Sequence, residues 1–222
     1  MSFTMTHLII AKNISEIYCD QILNLPQFYL GCVAPDAVHN RPGYISDYKK
    51  QSHLITGHEK WGMTTNNDEW KNNVAKLIND YLKSDHFDYV LGYCTHVLSD
   101  IYVNINVWTP IRLKYNIDLN IGNGYDNNYH HECNKIDIEL ALSYEHRDIF
   151  WINLAKSKSI DLPDIIFAAE TEMQKEYILN QWYKNKEHQD LSLNKIKTYE
   201  DELSLIERAT VFIRSFFNEN LT

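Results

Sequence analysis

The ten histidines of this chain are unevenly spread, and eight of them fall between His7 and His131. One spacing has chemical content. In His96-Val-Leu-Ser-Asp100 the imidazole and the carboxylate are four residues apart, so on a helix they project from one face about one turn apart. Such a pair can share a metal ion, or the carboxylate can orient the imidazole. The residues around it are apolar, so a polar stripe there needs partners once buried. Gly92, one turn earlier on that face, leaves room for a neighbouring backbone to come close. Taken alone, a buried His–Asp hydrogen bond that merely satisfies the core explains the pair equally well.

Asp36 and His39 lie in Ala34-Pro35-Asp36-Ala37-Val38-His39, a loop stiffened by Pro35 and Pro42, and loops on a rigid scaffold are common places for ligands. The plain alternative for Asp36 is a turn former, and for His53 and His58 a solvated ring. His7 opens the first helix. Tyr129-His130-His131-Glu132, followed by Cys133 and Asp137, forms a further polar group, but Glu132 and Asp137 are five apart and share no helix face well. Arg41 could pair with a phosphate as a bidentate donor or be a surface loop charge.

Helices must position these groups. Thr6 caps a predicted helix that runs to about Leu25, with Pro26 as its stop. Residues 31–48 read as a loop, and a short helix is expected over 47–58. Trp70, Val74, Leu77, Ile78, Tyr81 and Leu82 form one apolar stripe of a helix from Asn67. Asp85 is expected to cap a helix that carries His96 and should stop before Pro110. Residues 111–128 read as a surface loop, and the following helix turns Ile136 and Leu140 inward. Further helices are expected over 145–157, from Asp161-Leu-Pro-Asp164 to about Lys184, and from Thr198 with Leu203, Ile206, Ile213 and Phe217 inward. Residues 185–197 read as a polar linker. The expectation is one all-α domain over 1–222, with a metal-site core in 1–145 and C-terminal helices in 146–222.

Composition bounds the function. At 222 residues, with 44% apolar residues and 7 Gly and 5 Pro, the chain can bury a core but is short of the turn residues an all-β fold needs. The net charge of −9, without a Lys/Arg run, leaves no footprint for duplex nucleic acid. A phosphate-containing substrate stays compatible with it, because bound cations reverse the local sign. Cys19, Cys32, Cys94 and Cys133 form no C-x-x-C pair and read as thiols of a reducing cell. The apolar run Leu8–Ala11 is too short for a signal peptide, and no stretch approaches transmembrane length, so a cytoplasmic protein is expected.

The order of the motifs says more than any one of them. His7, Pro35-Asp36, His53 and His96-x-x-x-Asp100, within the segments MTHLIIAK, FYLGCVAPDAVHNR, SHL and LGYCTHVLSD, resemble the zinc-dependent phospholipase C superfamily, which also contains the fungal single-strand nucleases. The resemblance is to its small bacterial branch and covers roughly residues 5–140. It implies an all-α fold and a hydrolase that uses a zinc cluster on a phosphate ester, a phosphodiester or phospholipid. Carried over, Asp36, His53, His96 and Asp100 would hold one zinc, Asp100 would bridge to a second, and His7 would bind that second ion. Asp36 would be the catalytic carboxylate that orients or deprotonates the attacking water.

The chain departs from the family pattern in three places. Secreted members chelate zinc through an N-terminal Trp, where Met1 stands here. They place a His six residues after the helix Asp, where Asn106 stands here. They carry a later H-x-x-x-E or H-x-x-x-D, whose spacing here is held by Cys133 and Asp137. Glu132 is then the nearest candidate for an extra ligand. The expected metal set is His7, Asp36, His53, His96, Asp100 and Glu132, holding one to three Zn²⁺, with Mn²⁺ or Fe compatible with the same ligand types. Two alternatives stand beside this: a non-catalytic metal-binding or scaffold protein on the same fold, and a helical nucleotide phosphohydrolase, against which counts the lack of any His-Asp dipeptide.

Overall fold

The structure is a computed structural model that describes residues 3–115 and 125–221, with backbone alone for 125–127. Helices make its regular structure, as expected: the fold is all-α.

Helix α1 (Thr4–Ile17) is buried on nearly every side, with Met5, Leu8, Ile10, Ala11 and Ile14 sealed from solvent. It ends at Ile17, eight residues short of Leu25. Pro26 is a start rather than a stop. It sits in the first turn of α2 (Leu25–Gly31), where its missing N–H would be unpaired anyway, and the Asn24 side chain caps that turn by accepting from the Gln27 N–H. A 3₁₀ turn (Pro35–Asn40) follows, then α3 (Ser46–Ser52), which ends at His53. Helix α4 (Asn67–Tyr81) buries Trp70, Val74, Leu77 and Ile78, but the stripe stops there, since Leu82 lies beyond the helix end and is exposed.

Helix α5 (Phe87–Val103) is the axis of the molecule and is buried from Tyr89 to Ile101. Each of Val97, Leu98 and Ile101 contributes roughly 1.5–3 kcal/mol by leaving water. Pro110 does not end the helical path. A π turn (Asn104–Trp108) widens the coil and leads into α6 (Thr109–Lys114), so that Pro110 falls in a first turn again. Part of the stretch expected as a loop is therefore helical, and residues 116–124 of it lie outside the described residues.

Helix α7 (Tyr125–Ser143) buries Ile136 and Leu140, and α8 (Asp148–Lys156) follows. The segment from Asp161 is not a helix start. Asp164 takes a positive φ of 62°, an isolated bridge joins Leu162 to Ile166, and α9 (Ala168–Tyr177) begins only after Phe167, to continue as a π turn (Ile178–Trp182). Helix α10 (Tyr199–Asn220) opens with the Thr198/Asp201 capping box and buries Ile206, Ile213 and Phe217, while Leu203 is exposed.

Packing centres on α5, which touches α1, α2, α4 and α10. Its contact with α2 is set by two glycines. A Cβ on Gly92 would stand 1.9 Å from the Phe28 carbonyl oxygen, and one on Gly31 would stand 2.0 Å from that of Tyr89. The two backbones therefore touch, and this brings Cys32, at the end of α2, and the 3₁₀ turn after it against the His96 face of α5.

Candidate metal centre

Five polar side chains from four segments meet inside the helices. His7 comes from α1, Asp36 from the 3₁₀ turn, His53 from the end of α3, and His96 and Asp100 from one face of α5. They form two groups with mutually close ligand atoms, His7–His96–Asp100 and Asp36–His53–His96. Nε2 of His53 lies 3.6 Å from Oδ2 of Asp100 and 3.5 Å from Oδ1 of Asp36. Nε2 of His7 lies 3.8 Å from Oδ1 of Asp100, and Nε2 of His96 lies 3.9 Å from Oδ2 of Asp36. The rings of His7 and His96 stack with centroids 3.6 Å apart. Four of the five groups are buried, and Asp36 keeps 25% exposure.

The outer nitrogens decide what the inner ones can do. His96 Nδ1 lies 2.7 Å from the Cys32 carbonyl, and His53 Nδ1 lies 2.9 Å from that of Lys49. A carbonyl only accepts, so each Nδ1 carries the hydrogen, and in the neutral ring Nε2 is then a bare lone pair. Ser99 donates to the His96 carbonyl and so accepts from His7 Nδ1 at 2.8 Å, which fixes the same tautomer there. Two of these lone pairs, on His53 and His96, face each other at 3.3 Å, and the buried Nε2 of His7 has no hydrogen-bond partner. Facing lone pairs repel unless a cation lies between them. Burial also opposes protonation of His53, pushing it down to about 4, and of His7, which falls well below its ordinary value. A divalent cation would relieve the facing lone pairs, and imidazole nitrogens with carboxylates are the donor set that zinc takes.

The acids are held ionised. Burial opposes the charge of Asp36, but the Lys49 ammonium together with the His53 and His96 rings outweighs it and keeps the carboxyl well below the usual range. Burial likewise opposes charge on Asp100, yet its pKa is lowered to about 2.

Over residues 6–103 the sequence matches the family model described as zinc dependent phospholipase C. Residues 6–103 are therefore similar to the zinc-dependent phospholipase C family. The matched segment contains all five clustered residues and leaves out Glu132. No curated protein and no solved structure matches the chain.

The structure places Glu132 apart from both groups. Its carboxylate accepts the backbone N–H groups of Lys195, Ile196 and Lys197 at 2.8, 2.7 and 2.9 Å, and so anchors the polar linker before α10. The later spacing is also committed elsewhere: Cys133 is buried, and Asp137 accepts from the Met5 N–H at 2.7 Å and the Tyr183 hydroxyl at 2.8 Å. Asn106 is exposed and donates to the Tyr102 carbonyl, while Met1 lies outside the described residues. Arg41 is engaged within the fold rather than being a loose surface charge. It makes a fork to Glu170, at 2.5 and 3.1 Å, between the rings of Tyr48 and Phe167, and ties the 3₁₀ turn to α9.

Sequence reasoning missed Lys49 and Ser99. Lys49 stands one turn before His53. Its carbonyl orients that ring, and its Nζ lies 2.9 Å from Asp36 Oδ1 and 3.2 Å from His39 Nε2. The i, i+4 relation to His53 was the available signal. Asp36 and Lys49 form part of the lining of a cleft of about 580 Å³ whose other walls include Tyr44, Trp61, His130 and Trp182. The buried cluster thus has an opening on its Asp36 side, large enough for a small phosphate ester.

Proposed function

We propose that this chain is a zinc-dependent hydrolase of phosphate esters that acts on a phosphodiester or a phospholipid. The observation that carries the reading is the convergence of three bare Nε2 atoms and two ionised carboxylates beneath an open cleft. His7, His53, His96, Asp36 and Asp100 would hold the metal, and Zn²⁺ bound there supplies Lewis acidity and water acidified to a pKa of roughly 7.

The chain's own groups do the rest. Ser99 and the carbonyls of Cys32 and Lys49 keep the imidazoles in register, so that substrate meets a site already organised. Asp36, the one partly exposed carboxylate of the cluster, stands between the metal ligands and the cleft. Held ionised, it accepts a hydrogen bond from the attacking water and aims it at phosphorus. The buried rings and α5 keep bulk water from the far side of the site.

Hydrolysis of bis(p-nitrophenyl) phosphate and of phosphatidylcholine in mixed micelles by zinc-loaded protein tests this. Activity on at least one should vanish with EDTA and return with zinc. Asp36→Asn should bind zinc more weakly and, when saturated with added zinc, still lose about 10²–10⁴-fold in kcat. Zinc retention with no turnover of either substrate would instead support the non-catalytic metal-binding reading. Full activity in Asp36→Asn would remove Asp36 from the chemistry.

A further inference from the structure

The cluster is rich in ligands for one ion and poor for more. Its two groups share His96, whose Nε2 has one lone pair and can serve one ion at a time. A phosphodiester gains negative charge on its non-bridging oxygens as it is attacked, and that charge needs cations near the cleft. Among the described residues lining the cleft, Lys49 is the one lysine or arginine.

Lys49 is built to stay there. Its ammonium lies over Trp61, with Nζ 4.8 Å from the ring centroid, and its side chain keeps 15% exposure. An ammonium has three N–H donors. Asp36 and His39 take two of them, which leaves the third for a molecule in the cleft. Because Lys49 and His53 sit one turn apart on α3, that donor is fixed relative to the metal ligands.

We propose that Lys49 is the phosphate-binding cation of this cleft, donating to a non-bridging oxygen of the substrate or product phosphate. The inference rests on the hydrolase reading above, and the experiment separates the two. Inorganic phosphate is titrated calorimetrically into zinc-loaded wild type, Lys49→Met and Lys49→Arg, and zinc per chain is measured for each. Lys49→Met should keep its zinc and bind phosphate about tenfold more weakly or worse, whereas Lys49→Arg should stay within about threefold of wild type. If Lys49→Met binds phosphate as tightly as wild type, the inference fails and the hydrolase reading stands. If Lys49→Met loses zinc, Lys49 acts by positioning Asp36 and the inference also fails. If the wild type binds no phosphate, the inference fails, and the hydrolase reading is decided by the turnover assay alone.

Discussion

His53 and His96 bring their Nε2 atoms to 3.3 Å while each Nδ1 faces a backbone carbonyl, an arrangement that repels in the absence of a cation. Burial lowers His53 from 6.5 to about 4, and His7 falls in the same direction. Between those values the unfolded chain binds more protons on these rings than the folded chain does, so the folded state loses stability as pH falls through that window. For His53 alone the loss approaches about 3 kcal/mol by pH 4. Urea unfolding of EDTA-treated protein at about pH 7 and pH 4.5 should show it, and His53→Gln should flatten it; an identical slope in the variant would contradict the assignment. Glu132 makes the opposite kind of prediction. Glu132→Ala strands three backbone N–H groups, so it should lower stability by about 3 kcal/mol and leave metal content untouched. Loss of metal in that variant, without unfolding, would return Glu132 to the ligand set. His96 and Asp100 were legible from one i, i+4 spacing, and His7, Asp36 and His53 only from the order of motifs. The Lys49–Asp36 contact and the anchoring role of Glu132 were not, because those partners lie 13 and 63–65 residues away.

At the scale of elements, α2 and α5 set the position of the site through Gly31 and Gly92. Gly92 could be read in advance as a place of close approach, because it shares a face with His96; Gly31 fell at the start of the stretch read as a loop. Gly92→Ala drives a methyl group into the Phe28 carbonyl, so α2 must move away from α5. The expected loss is about 3 kcal/mol, measured by chemical denaturation, with weaker zinc binding because the Cys32 carbonyl that orients His96 moves too. A variant as stable as wild type would mean that the contact is looser than described. The prolines misled in a regular way. Pro26 and Pro110 each break the preceding pattern yet begin the next helix, and the sequence cannot distinguish a stop from a first-turn proline without knowing where the chain is capped.

Across the whole molecule, the C-terminal helices close over the site-bearing ones. Helix α10 packs on α1 and α5, with Thr6 bonded to Glu202 and Tyr18 bonded to the Arg214 carbonyl and Asn218. The last helices were legible as helices, from the Thr198 cap and the Ile206, Ile213 and Phe217 stripe, but not as a cover for α1, since contacts nearly 200 residues apart have no signature in the sequence. A chain cut after residue 145 would expose the buried faces of α1, α2 and α5. It should lack a cooperative thermal transition by circular dichroism; a sharp transition would show that residues 1–145 fold alone. Among the described residues no helix is long and apolar enough to cross a membrane.

The most direct test of the whole account is the zinc content of protein purified without chelator, measured by elemental analysis beside a His96→Ala, Asp100→Ala double variant. The geometry predicts about one equivalent of zinc per chain or more in the wild type and none in the folded double variant. A wild type free of any transition metal, with a double variant that is merely less stable, would make His96 and Asp100 polar residues of the core and end the hydrolase reading.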